Sequence, residues 1–167
     1  MKPDAVLIEA TKSFARKTLE DAEGGHDWFH TERVFNTAMR IGKEEGADLL
    51  VIALSALLHD IADSKFHDGD ESLGPKLAGD FLFKQNADSA IIERVIGIIE
   101  QVSFKNSLEG KPTDNSIELK VLQDADRLDA IGAIGIARCF NYGGFKNRKL
   151  YDPEIKPRFD MSKEEYK

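Results

Sequence analysis

The stretch LLVIALSALLHD, residues 49–60, is apolar on every side until it closes in His59 and Asp60. A helix with no polar stripe belongs in the middle of a core, with other helices packed around it. Asp48, just ahead, has the side chain to cap its first turn, and Gly46 stops the helix before it. The far end is the odd part. Helices commonly finish in Gly, Asn or Lys, yet here two side chains able to ligate a metal stand together at the edge of the core.

Helical periodicity continues on both sides of this stretch. Residues 4–20 carry Val6, Leu7, Ala10, Phe14 and Leu19 at helical spacing, and Glu23-Gly24-Gly25 breaks the chain. A second helix is predicted from about Asp27 to Glu45, with Phe29, Val34, Ala38 and Ile41 on one side. Residues 63–70 read as a polar loop. Helices follow over about 71–85 and 88–102, the latter capped by Asp88. Residues 105–115 read as a loop by their Gly, Pro and Asn content. Ser116 opens a last long helix, in which Gly132 and Gly135 either make a break or allow close packing, and which Asn141-Tyr142-Gly143-Gly144 ends. No stretch alternates as a strand does, so the expected architecture is an all-α helical bundle in a single domain over residues 1–167. Beyond about residue 150 the pattern changes. A loop precedes a helix start capped by Ser162 with Glu165 at its third position, so this segment is expected either to be disordered or to lead into further C-terminal helices.

Composition narrows the function classes. The chain has 167 residues and a net charge of −7, which argues against binding a nucleic-acid polymer through a basic surface. No run approaches the roughly 18 apolar residues needed to cross a bilayer. The N-terminus has Asp4 and Glu9 inside its apolar stretch, unlike a signal peptide. The single cysteine, Cys139, excludes an internal disulfide framework and fits a cytoplasmic setting.

The chemistry collects in three places. His26 and His30 are four apart and share a helix face. His59 and Asp60 close the core helix. Asp124, Asp126 and Asp129 fall in a helix that reads as buried, where carboxylates are costly unless paired, hydrogen-bonded or bound to a metal. Arg127 can pair with some of them, but three acids facing one arginine leave negative charge over. A mixed nitrogen and oxygen site of this kind suits Mn²⁺, Fe²⁺, Co²⁺, Ni²⁺ or Mg²⁺ better than a thiolate-bound structural zinc. Taken singly, each piece also has a plain reading: His30 as a satisfied core histidine, His59-Asp60 as a helix end, Asp126-Arg127 as an ion pair.

The order His30, His59-Asp60, Asp126 resembles the H…HD…D signature of the HD superfamily of metal-dependent phosphohydrolases. The surrounding blocks HDWFHTERV, ALLHDIADSK and DADRLDAIGAIGIARCF resemble small bacterial HD-domain hydrolases of the nucleotide pyrophosphohydrolase kind, over about residues 20–145. The resemblance implies an HD-domain helical bundle in which His30, His59, Asp60 and Asp126 hold one divalent metal, with Mn²⁺ expected first. It implies hydrolysis of a phosphoric anhydride. The expected substrate is a nucleoside or deoxynucleoside triphosphate, cut to monophosphate and pyrophosphate. A phosphomonoesterase or a cyclic-nucleotide or alarmone hydrolase would use the same four ligands, and a non-catalytic nucleotide sensor would keep the fold.

Residues one turn from the ligands are then the candidates for further roles. Asp63 either orients and deprotonates the water or caps the next segment. His26 either gives a proton to the leaving oxygen, contacts a phosphate, or is structural. Arg33, Lys65 and Arg127 are candidates to hold phosphate, because an acidic protein must supply local positive charge for a polyanion. Arg127 is equally suited to an ion pair with Asp124 or Asp129. His67 reads as solvated. The chain is left free to act as a monomer or a homodimer.

Overall fold

Helices account for all the regular structure among the described residues, which are 3–62, 70–103 and 115–157 of a computed structural model. They are α1 (Pro3–Thr18), α2 (Trp28–Glu44), α3 (Leu49–Leu58), α4 (Leu73–Lys84), α5 (Ser89–Val102), α6 (Ile117–Leu128) and α7 (Gly132–Phe145). The expectations for Asp63, Lys65, His67, Ser162 and Glu165 lie outside the described residues.

Helix α3 is the axis of the bundle, as its sequence requires. Every residue from Val51 to Leu58 is buried, and α1, α2, α5 and α6 pack around it. Full burial of Val51, Ile52, Leu54, Leu57 and Leu58 contributes about 2 kcal/mol each relative to exposure, before chain entropy is set against it. Helix α4 joins from the side by packing on α5, and its Phe81 stacks on Phe14 of α1 with ring centroids 4.2 Å apart.

The entry to α3 ties three helices together. Asp48 Oδ1 accepts hydrogen bonds from the Leu50 and Val51 N–H groups at 3.1 and 3.3 Å. Its Oδ2 accepts from Arg94 of α5 at 2.7 Å. The Asp48 N–H in turn donates to Glu118 of α6 at 3.0 Å. Gly46, at φ +69°, provides the left-handed residue that closes α2 in a Schellman turn, with the Ala47 N–H donating to the Gly42 carbonyl at 3.0 Å. Burial alone would raise the Asp48 carboxyl pKa, but the Arg94 guanidinium and the capped N–H groups hold it below the ordinary value. The folded pKa therefore lies below the unfolded one. This contribution is fully present above about pH 4 and is lost as the pH falls through the folded pKa. Asp48→Ala is expected to lower stability by about 1–2 kcal/mol at pH 7 in chemical denaturation. The deficit should shrink when the same measurement is made near pH 3.

Three sequence expectations need correction, and one left open, the break at Gly132, is decided. Phe29 and Val6 sit on outer faces, 59% and 49% exposed, because each lies on the solvent side of its helix. The long last helix is two: α6 stops at Leu128, and the chain turns through Asp129–Ile131 before Gly132, at φ +68°, starts α7. Asn141–Gly144 does not end α7, which runs on to Phe145. Of the three acids expected to be buried in this region, only Asp129 is. Asp126 is intermediate, and Asp124 is on the exposed face.

Candidate metal centre

The centre forms where α3 ends against α2 and α6. His30 is placed by the first turn of α2, whose cap Asp27 accepts a hydrogen bond from the His30 N–H at 2.9 Å. His59 is the C-cap of α3, and Asp60 follows it out of the helix. Successive helical residues point about 100° apart, so both reach one point because the end of α3 lies beside it.

Hydrogen bonds set the direction of both imidazoles. His59 Nδ1 lies 2.8 Å from the Ala56 carbonyl, an acceptor only, so Nδ1 carries the proton and donates it. His30 Nδ1 lies 2.7 Å from Asp129 Oδ2 and donates likewise. The remaining nitrogen of each ring, Nε2, is buried and makes no hydrogen bond. A buried nitrogen without a partner is costly, and here two of them point the same way. His30 Nε2 is 3.4 Å from Asp60 Oδ2 and 3.5 Å from Asp126 Oδ1. His59 Nε2 is 3.5 Å from the same Asp60 oxygen. Atoms that share one ion at about 2.1 Å stand about 3 Å apart when adjacent, so the spacing is close to that of a ligand shell and long for a hydrogen bond. His30, His59 and Asp60 offer ligand atoms that all lie within 4.8 Å of one another. The donor set fits a divalent cation of intermediate hardness.

The electrostatics point the same way. Burial would push the His30 imidazole down, but the carboxylates of Asp129 and Asp60 outweigh it and hold the ring up at about 9. Burial also opposes ionisation of Asp60, yet the rings of His59 and His30 keep its carboxyl well below the usual range. The carboxylates that favour a proton on this ring also favour a metal cation beside it. Exposure is graded across the four side chains. His30 is fully buried, His59 2% exposed, Asp60 18% and Asp126 31%. The imidazoles make the floor and Asp126 the mouth.

The other expected residues fall into two groups. His26 lies at the rim, its ring edge-on to His30 with centroids 6.2 Å apart. Its Nδ1 is 2.9 Å from Glu23 Oε2, and Glu23 also accepts from Asn141 of α7. The two arginines are placed unlike each other. Arg33 directs Nε to Asp129 Oδ1 at 2.7 Å and Nη2 to Asp129 Oδ2 at 3.0 Å, so its fork grips a carboxylate of the protein itself. Arg127 is exposed and lines a shallow surface depression with Ile41, Asp124, Leu128 and Ile131. It is one helix position past Asp126, so it points about 100° away from the residue that faces the centre.

Two contributors were not assigned to the site from sequence. Asp129 follows Asp126 by three and caps the end of α6, a spacing that could have identified it. Arg138 is a lone cation in the apolar run of α7, which is itself a sign of a buried partner. It donates to the Asp129 carboxylate at 3.2 Å and to its backbone carbonyl at 3.3 Å.

A family model described as HD domain matches residues 28–131. The uncharacterized protein YpgQ of Bacillus subtilis is 41% identical over 150 residues, an alignment covering 87% of this chain and 71% of YpgQ. A crystal structure of YpgQ in complex with ADP matches with a TM-score of 0.73 at 36% identity, over 91% of this chain and 73% of that one. A structure from Lactobacillus plantarum matches with a TM-score of 0.82 at 38% identity, over 99% of this chain and 74% of that one. An HD-superfamily hydrolase from Bacillus thuringiensis matches with a TM-score of 0.69 at 40% identity, over 92% of this chain and 73% of that one.

Proposed function

The chain belongs to the HD-domain family and is a hydrolase of the metal-dependent HD type, and from that premise we propose that it hydrolyses nucleotides at the centre formed by His30, His59, Asp60 and Asp126. The observation that carries this reading is the pair of buried imidazole nitrogens, neither in a hydrogen bond, aimed at one carboxylate oxygen. The nucleotide class is supported by the ADP bound to YpgQ. Within that class the proposed reaction is cleavage of a nucleoside triphosphate to monophosphate and pyrophosphate.

A divalent cation held by these four residues, with Mn²⁺ the first choice, would supply Lewis-acid polarisation of a phosphoryl group and neutralise its charge. The chain's own residues do the rest. Asp126, the most exposed of the four, stands where substrate arrives. His30 and His59, sealed beneath it, keep water from the floor of the site. His26, steadied by Glu23, is proposed to pass a proton to the leaving oxygen. Asp63 is proposed to orient the attacking water and Lys65 to hold phosphate. Arg33, whose fork grips Asp129, is proposed to act through that carboxylate. Among the described residues, no helix is long and apolar enough to cross a membrane, and the proposed setting is the cytoplasm.

The test is a panel of nucleoside triphosphates, diphosphates, monophosphates and cyclic nucleotides, incubated with protein loaded with Mn²⁺. Expected is release of pyrophosphate from at least one triphosphate, loss of turnover on chelation, and recovery when Mn²⁺ is returned. Phosphate release from monophosphates alone would move the assignment to a phosphomonoesterase. Silence across the panel with several divalent metals would remove the hydrolytic reading.

A further inference from the structure

We propose that Asp129 is the positioning residue for His30, and that Arg138 makes the seating of α7 and the affinity of the centre for a divalent cation depend on one another. The proposal rests on the metal-hydrolase reading above.

Asp129 lies on the far side of the His30 ring from Asp60 and Asp126. Its carboxylate is 7% exposed and receives donors from two helices and the ring. Oδ2 accepts from His30 Nδ1 at 2.7 Å, from Arg33 Nη2 at 3.0 Å and from Arg138 Nη1 at 3.2 Å. Oδ1 accepts from Arg33 Nε at 2.7 Å. A carboxylate held this way cannot turn, so the imidazole it receives cannot turn either. Nδ1–H is committed to Asp129, and Nε2 is left as the atom that faces the cation. Carboxylates behind a metal-bound imidazole fix its tautomer, aim it and raise its basicity.

Arg138 brings the last helix into this arrangement. No residue of α7 is buried, yet the Arg138 side chain is only 16% exposed because it reaches inward to Asp129. The chain can return so sharply only with glycine at 135, where an added Cβ would lie 2.2 Å from the Ala130 carbonyl oxygen. Arg138 Nη1 thus spans the turn, bonding both the backbone and the side chain of Asp129. If α7 lifts, Asp129 loses a donor and His30 loses part of its restraint. By linkage, an ion that favours the restrained His30 favours the seated α7 to the same degree.

The experiment measures Mn²⁺ binding by equilibrium dialysis, with no turnover involved. It uses the full chain, Asp129→Asn, Arg138→Gln, Arg138→Lys and the exposed control Arg40→Gln, each first checked by circular dichroism. Asp129→Asn is expected to weaken Mn²⁺ binding by 10- to 100-fold, the range typical of lost partners behind a ligand. Arg138→Gln should weaken it about five-fold, with Arg138→Lys between it and the unaltered chain, and Arg40→Gln unchanged. Amide hydrogen exchange supplies the reciprocal reading: Mn²⁺ should slow exchange in α7 of the unaltered chain and not in Arg138→Gln. Should Asp129→Asn fail to fold, Arg138→Gln carries the test. Folded variants that bind Mn²⁺ as well as the unaltered chain, or an α7 whose exchange ignores Mn²⁺, overturn this proposal alone. Failure of the unaltered chain itself to bind Mn²⁺ overturns it together with the metal reading.

Discussion

Asp126→Ala is expected to lower kcat/KM on a nucleoside triphosphate about 1000-fold, equivalent to about 4 kcal/mol of transition-state stabilisation, while the protein stays folded. The first half follows from position: Asp126 Oδ1 lies 3.5 Å from His30 Nε2, on the open side of the centre. Taking it away removes one proposed ligand and the carboxylate nearest the arriving substrate, leaving a cation held by three groups. The second half follows from exposure. With its side chain 31% exposed, Asp126 leaves no unpaired charge and little cavity behind when truncated, so the thermal midpoint in the absence of metal should move by less than about 2 °C. Steady-state kinetics with a metal-loaded enzyme, paired with a melting curve, checks both halves. Retained turnover at saturating Mn²⁺ would remove Asp126 from the ligand set.

Asp129→Ala is expected to do the opposite and strike stability hardest. The variant leaves the Arg33 guanidinium, the Arg138 guanidinium and the His30 imidazole facing a site with no carboxylate between them. Removing one member of a buried charged group typically costs about 3–5 kcal/mol, because what remains is charge without compensation. For a chain of this size that is a fall in Tm of roughly 10 °C. Burial alone would raise the Asp129 carboxyl, but His30 and Arg33 hold it well below the ordinary carboxylate range. A double-mutant cycle sharpens the test. Asp129→Ala with Arg138→Ala should cost less than the two single losses combined, since removing the arginine relieves part of the repulsion. Strict additivity would mean the two side chains do not share an energy.

Both predictions turn on residues three apart, Asp126 inside α6 and Asp129 just past its end, and the sequence disclosed them unequally. The bundle itself was legible because α3 is apolar all round and its neighbours are amphipathic, so the hydrophobic pattern alone dictates which helix is central. His30, His59 and Asp60, which offer ligand atoms close to one another, were legible for the complementary reason: each is a polar group set against apolar neighbours; Asp126 is the proposed fourth. Asp129 was visible as one of three acids, but its partners were not. Its bond to His30 joins residues 99 apart in the chain, and no local periodicity reports such a pairing. Arg33 and Arg127 were alike in sequence, two cations each near a ligand. Only the rotation of each about its helix separates the one that grips Asp129 from the one that faces solvent. The break before α7 was half legible: the glycines at 132 and 135 marked a place, but a glycine in a helix pattern signals a turn and a close approach equally well.

The burial of α3 carries one more consequence. His59 and Asp60 are not borne on a loop that can adjust independently; they stand at the tip of a rod whose flanks are clamped from end to end. Close-packed interiors pass strain along rather than absorbing it. A missing methyl group at Ile52, two turns away, therefore becomes a small translation or roll of the rod, delivered at its tip as misalignment of His59 and Asp60. In this protein the interior is the gauge that calibrates the centre, and tolerance to change in α3 is set by how far two side chains can drift and still meet at one point.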